Sequence, residues 1–477
     1  MIFHSLEFLA FFVLTLAGYW AMPMRAQNVL ILVASYVFYG WVHPWFLVLI
    51  FATTLIDFGS ARGMTHRPDR KKVFLWLSII TNFGLLGFYK YFGFFVANVA
   101  AAAAALGWRL PVPVLHVVLP VGISFYTFQS MSYTIDVYRG HAPARTRFVD
   151  VAAFVAFFPH LVAGPIMRAT NLLPQFERDR RFSASGARDA TVLMVWGFFK
   201  KLVIADNVGV IANKVFALKD PEFFVLWAGV FAFAIQIYAD FSAYTDIARG
   251  VAKWFGFDLI KNFERPYLAS GPSDFWHRWN ISLSTWFRDY VYIPLGGSRR
   301  GPARQAVNVL ITFLASGLWH GASWNYVLWG AYHGVLLVLG RMAGAAWSPS
   351  PETRRWLRPL QVAGMFALTS IGWLIFRETE FPQIVRDVQL QPWASSALGV
   401  SAGAYLFMLA WLYSLPLWIQ DLWVEFRRAD LAAAIEAPET VVNWRRVGAQ
   451  AVLCGLMVAG IVTLRSQTSL DFIYFAF

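Results

Sequence analysis

Apolar runs long enough to cross a bilayer recur from one end of this chain to the other, separated by short loops that hold most of its Lys and Arg. A helix of about 20 apolar residues spans the hydrocarbon core, and inside lipid every backbone polar group must be paired within the protein. That requirement leaves little choice of fold. With 58% hydrophobic residues, 14% charged residues and a mean hydropathy of +0.52 over 477 positions, the chain reads as an all-α, polytopic integral membrane protein. Residues 1–477 are expected to form a single membrane-embedded domain.

The basic loops set the sides. Arg25 and the loop "SARGMTHRPDRKK" fall on one face, which the positive-inside rule makes cytoplasmic. Crossings are then read in the first 25 residues and over 28–42, 44–58, 73–105, 112–138, 190–218, 223–248, 305–320, 324–341, 359–376, 396–420 and 447–464. These make about twelve spans, with both ends of the chain outside. Arg25 follows the first apolar run instead of preceding it, so that run reads as a retained span and not a cleaved signal. "FVDVAAFVAFFPHLVAGPIMR", interrupted at Pro159 and Gly164-Pro165, reads as a re-entrant segment, and the stretch from Arg249 to Arg304 as interfacial or re-entrant helices.

The formal charge of +13 follows from loop topology, so no nucleic-acid partner is expected. Cys454, the single cysteine, excludes an internal disulfide and a Cys-rich zinc site. No internal repeat of the kind many transporters carry is visible.

Chemistry centres on "SGLWHGASW". His320 ends a membrane run with no acid or base beside it, and an imidazole in such a place marks function more often than it would in a soluble core. A metal site would need convergent ligands, yet there is no HExxH, and His333 lies 13 residues on in the next run, where it suits helix packing. The chain also lacks a GxSxG elbow and a phosphate-loop pattern. A general base for a hydroxyl remains. In "FWHRWNISLS", Asn280 is either a helix cap or an amide that orients a carbonyl or hydroxyl. Asp240 and Asp246 are buried acids expected to pair with Arg249 or another base.

"DFWHRWNISLSTWFRDYVYIPLGGSRRG" followed by "GLWHGASWNYVLWGAYHG" resembles the signature of the membrane-bound O-acyltransferase family. Similarity extends to "LPVGISFYTFQSMSYTIDVYRG", "FPHLVAGPIMR", "IYADFSAYTDIARG" and the ending "FIYFAF". The likeness is greatest to the bacterial branch that O-acetylates alginate and peptidoglycan, with the D-alanyl exporter of teichoic acids more distant. It implies that His320 is the family's histidine, acting in a channel that takes an acyl group from a cytoplasmic thioester and passes it to a hydroxyl. Many bacterial relatives carry "WH" where this chain has Trp279-Asn280, whereas eukaryotic members carry Asn there, so a relay through two histidines is not implied. His277, one helical turn earlier, is read either as a substitute or simply as a polar side chain at the surface, the latter being the plainer reading.

The resemblance further implies roles for the tail 472–477. Phe472, Tyr474 and Phe477 form an FxYxxF ending, read either as an acyl relay through Tyr474 or as an interfacial aromatic anchor. The expected site thus has His320 as base, Asn280 as orienting group and Tyr474 as covalent way-station. Arg288, Arg299, Arg300, His160, His277 and Trp319 are expected to bind substrate, the arginines through the phosphates of coenzyme A, although their charges serve the membrane topology equally well. No metal or bound organic cofactor is expected, with acetyl-CoA or another acyl thioester arriving as donor substrate. The expected setting is the bacterial inner membrane, in contact with lipid and with a periplasmic acetyltransferase partner, for O-acetylation of an exported or cell-wall polysaccharide. A D-alanyl or longer acyl cargo, and a polysaccharide or lipid transporter without chemistry, are the alternatives.

Overall fold

Ser5 accepts a hydrogen bond from the Phe8 N–H and so starts the first apolar helix, α1 (Leu6–Trp20). The computed structural model describes residue 1 and residues 3–109, 118–162, 164–346, 350–427, 444–468 and 470–473. It divides into two compact units, Met1–Thr191 with Ala248–Ile260, and Val192–Ile247 with Lys261–Phe477.

The first unit continues with α2 (Met24–Gly40), α3 (Phe46–His66), α4 (Lys71–Leu86), a π-turn over Gly87–Tyr91 and α5 (Phe92–Ala105). After the undescribed residues 110–117 come α6 (Ile123–Arg139), α7 (Phe148–Ala156) and α8 (Ala169–Glu177). Polar residues inside these apolar helices satisfy one another. Asp57 accepts from Ser78 at 2.6 Å, from Asn82 at 3.0 Å and from Ser130. Asn28 donates to Asp150 and to the Phe176 carbonyl, both at 2.9 Å, and accepts from Arg180 at 2.6 Å.

The segment with Pro159 and Gly164-Pro165 is broken as its sequence suggests. α7 stops at Ala156, and helix resumes at Ala169. Its interrupted backbone finds partners on neighbouring helices: the Phe158 N–H donates to Ser35 Oγ at 3.0 Å, and Gln129 Nε2 donates to the Phe154 carbonyl at 2.6 Å. These bonds make irregular backbone tolerable among apolar helices. Gly122, at φ +77°, starts α6 against this segment, where a Cβ would lie 2.8 Å from the Leu161 carbonyl oxygen.

In the second unit, α9 (Ala184–Phe199), which begins in the first, runs through a π-turn over Lys200–Ala205 into α10 (Asp206–Phe216). Then follow α11 (Phe223–Trp254), the short α12 (Pro272–Arg278) and α13 (Ile281–Phe287), α14 (Gly301–His320), α15 (Trp324–Ala346), α16 (Pro351–Arg377), α17 (Phe381–Gln389), α18 (Ala397–Phe426) and α19 (Trp444–Leu464). α11 is largely buried, with Leu226 and Val230 packed against Leu374 of α16, whereas α19 keeps most of its apolar surface open, as a lipid-facing helix does. α14 and α15 form a hairpin whose backbones meet at glycines. A Cβ on Gly317 would lie 2.1 Å from the Tyr326 carbonyl oxygen, and one on Gly330 would lie 2.3 Å from that of Phe313. Gly317→Val is therefore expected to destabilise the protein by about 1–3 kcal/mol or more, since backbone cannot step aside. Thermal unfolding in detergent reads this, and an unchanged midpoint would contradict it.

Each of the twelve apolar runs holds a helix, but seven of the described helices are long and apolar enough on their own to cross a membrane. The others are shorter or interrupted by polar residues. Of the run 112–138, the described residues 118–122 are non-helical and α6 begins at Ile123, and Lys200 and Lys201 sit in the middle of 184–216. The run 223–248 extends instead to Trp254, past Arg249. The protein is a multi-pass, all-α membrane protein.

Candidate active site

The second unit assembles the segment "DFWHRWNIS" around a partly buried charge network. Arg278 donates to Asp274 at 2.7 Å and to Glu425 at 3.3 Å, and Glu425 also accepts from Arg265 at 2.8 Å and Arg358 at 2.6 Å. Burial opposes the charge on Arg278, but the hydrogen bonds it donates to Asp274 and Glu425 outweigh this and raise its pKa above the ordinary guanidinium value. The end of α12 is thereby fixed, and with it Trp279 and Asn280.

Asn280 is 2% exposed and takes the left-handed conformation, φ +39°, at the start of α13. It is not a side-chain cap. Asn262 does that work, accepting the Ile281 N–H on its backbone oxygen at 2.9 Å and the Ser282 N–H on Oδ1 at 3.1 Å. The Nδ2 group of Asn280 meets no hydrogen-bond acceptor among the described residues. A buried amide donor so placed carries a desolvation cost that a bound carbonyl oxygen would relieve.

His320 closes α14 and is 5% exposed. Its ring stands edge-on to Trp319 at 5.1 Å, Trp329 at 5.0 Å and Phe376 at 5.3 Å. Trp329 lies 6.4 Å from Trp373, which lies 4.8 Å from Trp279, so an aromatic wall leads from the residue before Asn280 to His320. His333 packs behind the wall, 4.9 Å from Trp329 and 5.1 Å from Trp276. A Cβ on Gly372 would lie 2.6 Å from its Nε2, which fits the packing role.

A cavity of about 220 Å³ opens beside this wall, lined by Trp276, His277, Arg288, Tyr292, Thr312, Ser316 and Arg341 among others. Thr312, Ser316 and His320 recur every four residues, so the face of α14 that lines the cavity ends at the histidine. Trp276 also lines the cavity and lies 5.7 Å from Trp329. The hydroxyls of Thr312 and Ser316 thus precede His320 along this helix, while His320 and Asn280 themselves do not line the cavity.

The expected substrate contacts separate on this geometry. Arg288 and His277 line the cavity, although Arg288 also bonds Asp289 at 2.8 Å and His277 bonds the Ser273 carbonyl at 2.6 Å. Arg299 and Arg300 are exposed on the Gly296-Gly297 turn, where Arg299 bonds back to the Gly296 and Ile293 carbonyls. Trp319 is buried beside His320. His160 belongs to the first unit, buried against Phe157 at 5.5 Å. Tyr474 and Phe477 lie outside the described residues, which end at Ile473. Sequence reasoning missed Arg341, the second arginine at the cavity. It lies in the last turns of α15, where the hydropathy pattern gives way to what reads as a loop.

Asp240 and Asp246 have their base, and it is lysine. Lys201 lies 3.0 Å from Asp240, and Lys200 lies 2.8 Å from Asp246. Arg249 also donates to the Leu259 carbonyl.

Residues 139–375, which include Asn280 and His320, match the family model described as "MBOAT, membrane-bound O-acyltransferase family". A probable alginate O-acetylase AlgI of Pseudomonas putida is 37% identical over 495 aligned positions that cover all of both chains. Another from Azotobacter vinelandii is 42% identical over 79% of this chain and 75% of its own. A peptidoglycan O-acetyltransferase of Helicobacter pylori is 32% identical over 77% of this chain and 75% of its own.

Proposed function

Since this chain belongs to the membrane-bound O-acyltransferase family, we propose that it takes an acetyl group from a cytoplasmic thioester such as acetyl-CoA and passes it across the bacterial inner membrane for O-acetylation of an exported polysaccharide. The observation that carries the reading is the α14 face on which Thr312 and Ser316 line the cavity and His320 ends the row. Residues 1–477 act as one membrane domain of about twelve crossings, with the basic loops inside. Arg288 and Arg341 at the cavity meet the phosphates of the donor. The relatives' names, alginate and peptidoglycan O-acetylating enzymes, support acetyl as the cargo and a polysaccharide as its destination. A periplasmic acetyltransferase partner completes delivery.

In this reading the donor carbonyl lies against the Asn280 amide, which donates to its oxygen as negative charge develops. His320 removes the proton from the attacking hydroxyl, first that of Tyr474. The new C–O bond forms, the C–S bond breaks, and the thiolate recovers the proton from the imidazolium and departs as free thiol. A second hydroxyl, on the external acceptor, then takes the acetyl group from the Tyr474 ester and returns a proton to the phenoxide. Atoms and charges balance in both steps.

Asn280→Ala is expected to lower kcat by about 10²–10³-fold, the effect of losing one oxyanion donor, with KM for the donor nearly unchanged. Thiol release by purified protein given acetyl-CoA measures it. An unchanged kcat would remove Asn280 from the site, and no thiol release by the wild type would remove acetyl-CoA as donor.

A further inference from the structure

The C-terminal tail is tied into the second unit by a buried ion cluster that the reaction above leaves unused. Lys201, in the π-turn between α9 and α10, has a side chain only 1% exposed and lies 2.9 Å from Asp206 Oδ1 and 3.0 Å from Asp240 Oδ1. Its ammonium also donates to the Leu470 carbonyl at 2.8 Å. Asp240 Oδ2, in turn, accepts the Ile473 N–H at 2.8 Å. A single cluster therefore holds the tail backbone at both Leu470 and Ile473, and Ile473 is the residue before Tyr474.

Side chains complete the seat. Between the two anchors, Phe472 lies 4.0 Å from the Tyr244 ring and 5.8 Å from that of Phe241. Gly209 of α10 lets Leu470 approach, since a Cβ there would lie 2.6 Å from Leu470 Cδ1. Upstream, Asn207 Nδ2 donates to the Leu464 carbonyl at 2.9 Å, and the Ser466 N–H donates to the Leu202 carbonyl at 3.2 Å.

A lysine and two carboxylates buried among membrane helices are costly, and an apolar trio of similar volume would serve stability as well or better. What apolar side chains could not do is bind one particular carbonyl and one particular N–H of a passing chain. The tail supplies the polar partners that the cluster needs. A shift of the tail by one residue would put a different pair of backbone groups against Lys201 and Asp240 and turn Phe472 away from Tyr244.

We infer that Lys201 and Asp240 are positioning residues that clamp the C-terminal tail in register and thereby set where Tyr474 is presented. The function of the clamp rests on the acyl-relay reading of Tyr474, whereas the docking of the tail does not.

Hydrogen exchange of the C-terminal peptide, followed by mass spectrometry in detergent, tests docking without any chemistry. In the full-length wild type the peptide containing Ile473 exchanges slowly, and rapid exchange there overturns the clamp whatever any variant does. Replacing one partner strands a buried charge, so the informative variant removes all three charges together: Lys201→Met with Asp206→Asn and Asp240→Leu, the last also removing the oxygen that accepts the Ile473 N–H. Exchange at the tail is expected to rise by about tenfold or more, the scale of losing a buried hydrogen bond to a charged group. kcat for acetyl transfer is expected to fall while KM for acetyl-CoA holds. Unchanged exchange in a well-folded triple variant overturns the inference. Faster exchange with unchanged transfer supports the docking and overturns the clamp's role in presenting Tyr474, whereas Tyr474→Phe tests the relay reading by itself, so the two fail separately.

Discussion

His320→Ala is expected to lower kcat for acetyl transfer by about 10²–10⁴-fold, the range that a positioned general acid–base contributes. The cavity proposed for the donor is lined on α14 by residues that precede His320, so donor binding is expected to survive and KM to change little. The ring also fills space among Trp319, Trp329 and Phe376, so its removal leaves a hole between buried aromatic side chains. Steady-state thiol release must therefore be measured beside an unfolding midpoint. His320→Gln, which fills more of the same space but cannot take up a proton at neutral pH, is expected to recover stability without recovering rate. A His320→Gln enzyme of wild-type kcat would show that the imidazole is there for packing.

Tyr474→Phe is expected to lower O-acetylation of the external acceptor by several orders of magnitude, the scale on which deletion of a covalent nucleophile acts. The substitution removes one oxygen and leaves the aromatic ending intact, so an interfacial anchor would be almost unaffected. This contrast separates the two readings of the FxYxxF ending. Total O-acetyl in the product polysaccharide measures it, with thiol release recorded alongside. Acceptor acetylation at the wild-type rate would assign the tail to anchoring and leave direct transfer at His320.

Much of this site is legible in the amino-acid sequence, for reasons that differ from residue to residue. His320 stands out because an imidazole in an apolar run is expensive, and its neighbours repeat a recognisable pattern. Asn280 is ambiguous in sequence between cap and orienting amide, because a cap is decided by which N–H groups find which oxygens. The structure gives that task to Asn262, eighteen positions earlier and outside the motif. Asp240 and Asp246 announce themselves as buried acids. Their partners are hidden because Lys200 and Lys201 lie some forty residues away in sequence and reach α11 from a π-turn, which hydropathy does not reveal. Arg299 and Arg300 read as phosphate ligands by charge alone, but they project from a glycine turn to which Arg299 bonds back. The twelve runs foretell the helices well. Helix lengths are harder to read, because polar residues buried against protein do not end a helix, as α11 shows by continuing past Arg249.

Mass spectrometry of the C-terminal peptide, after purified protein is incubated with isotopically labelled acetyl-CoA and with wild type and His320→Ala run side by side, decides whether the acetyl group passes through Tyr474 by way of His320. Labelled acetyl is expected on Tyr474 in the wild type and is expected to be lost in His320→Ala, with both proteins folded. Equal labelling of the two would contradict the role given to His320. Thioester consumed by the wild type with no label on the tail would contradict passage of the acetyl group through Tyr474.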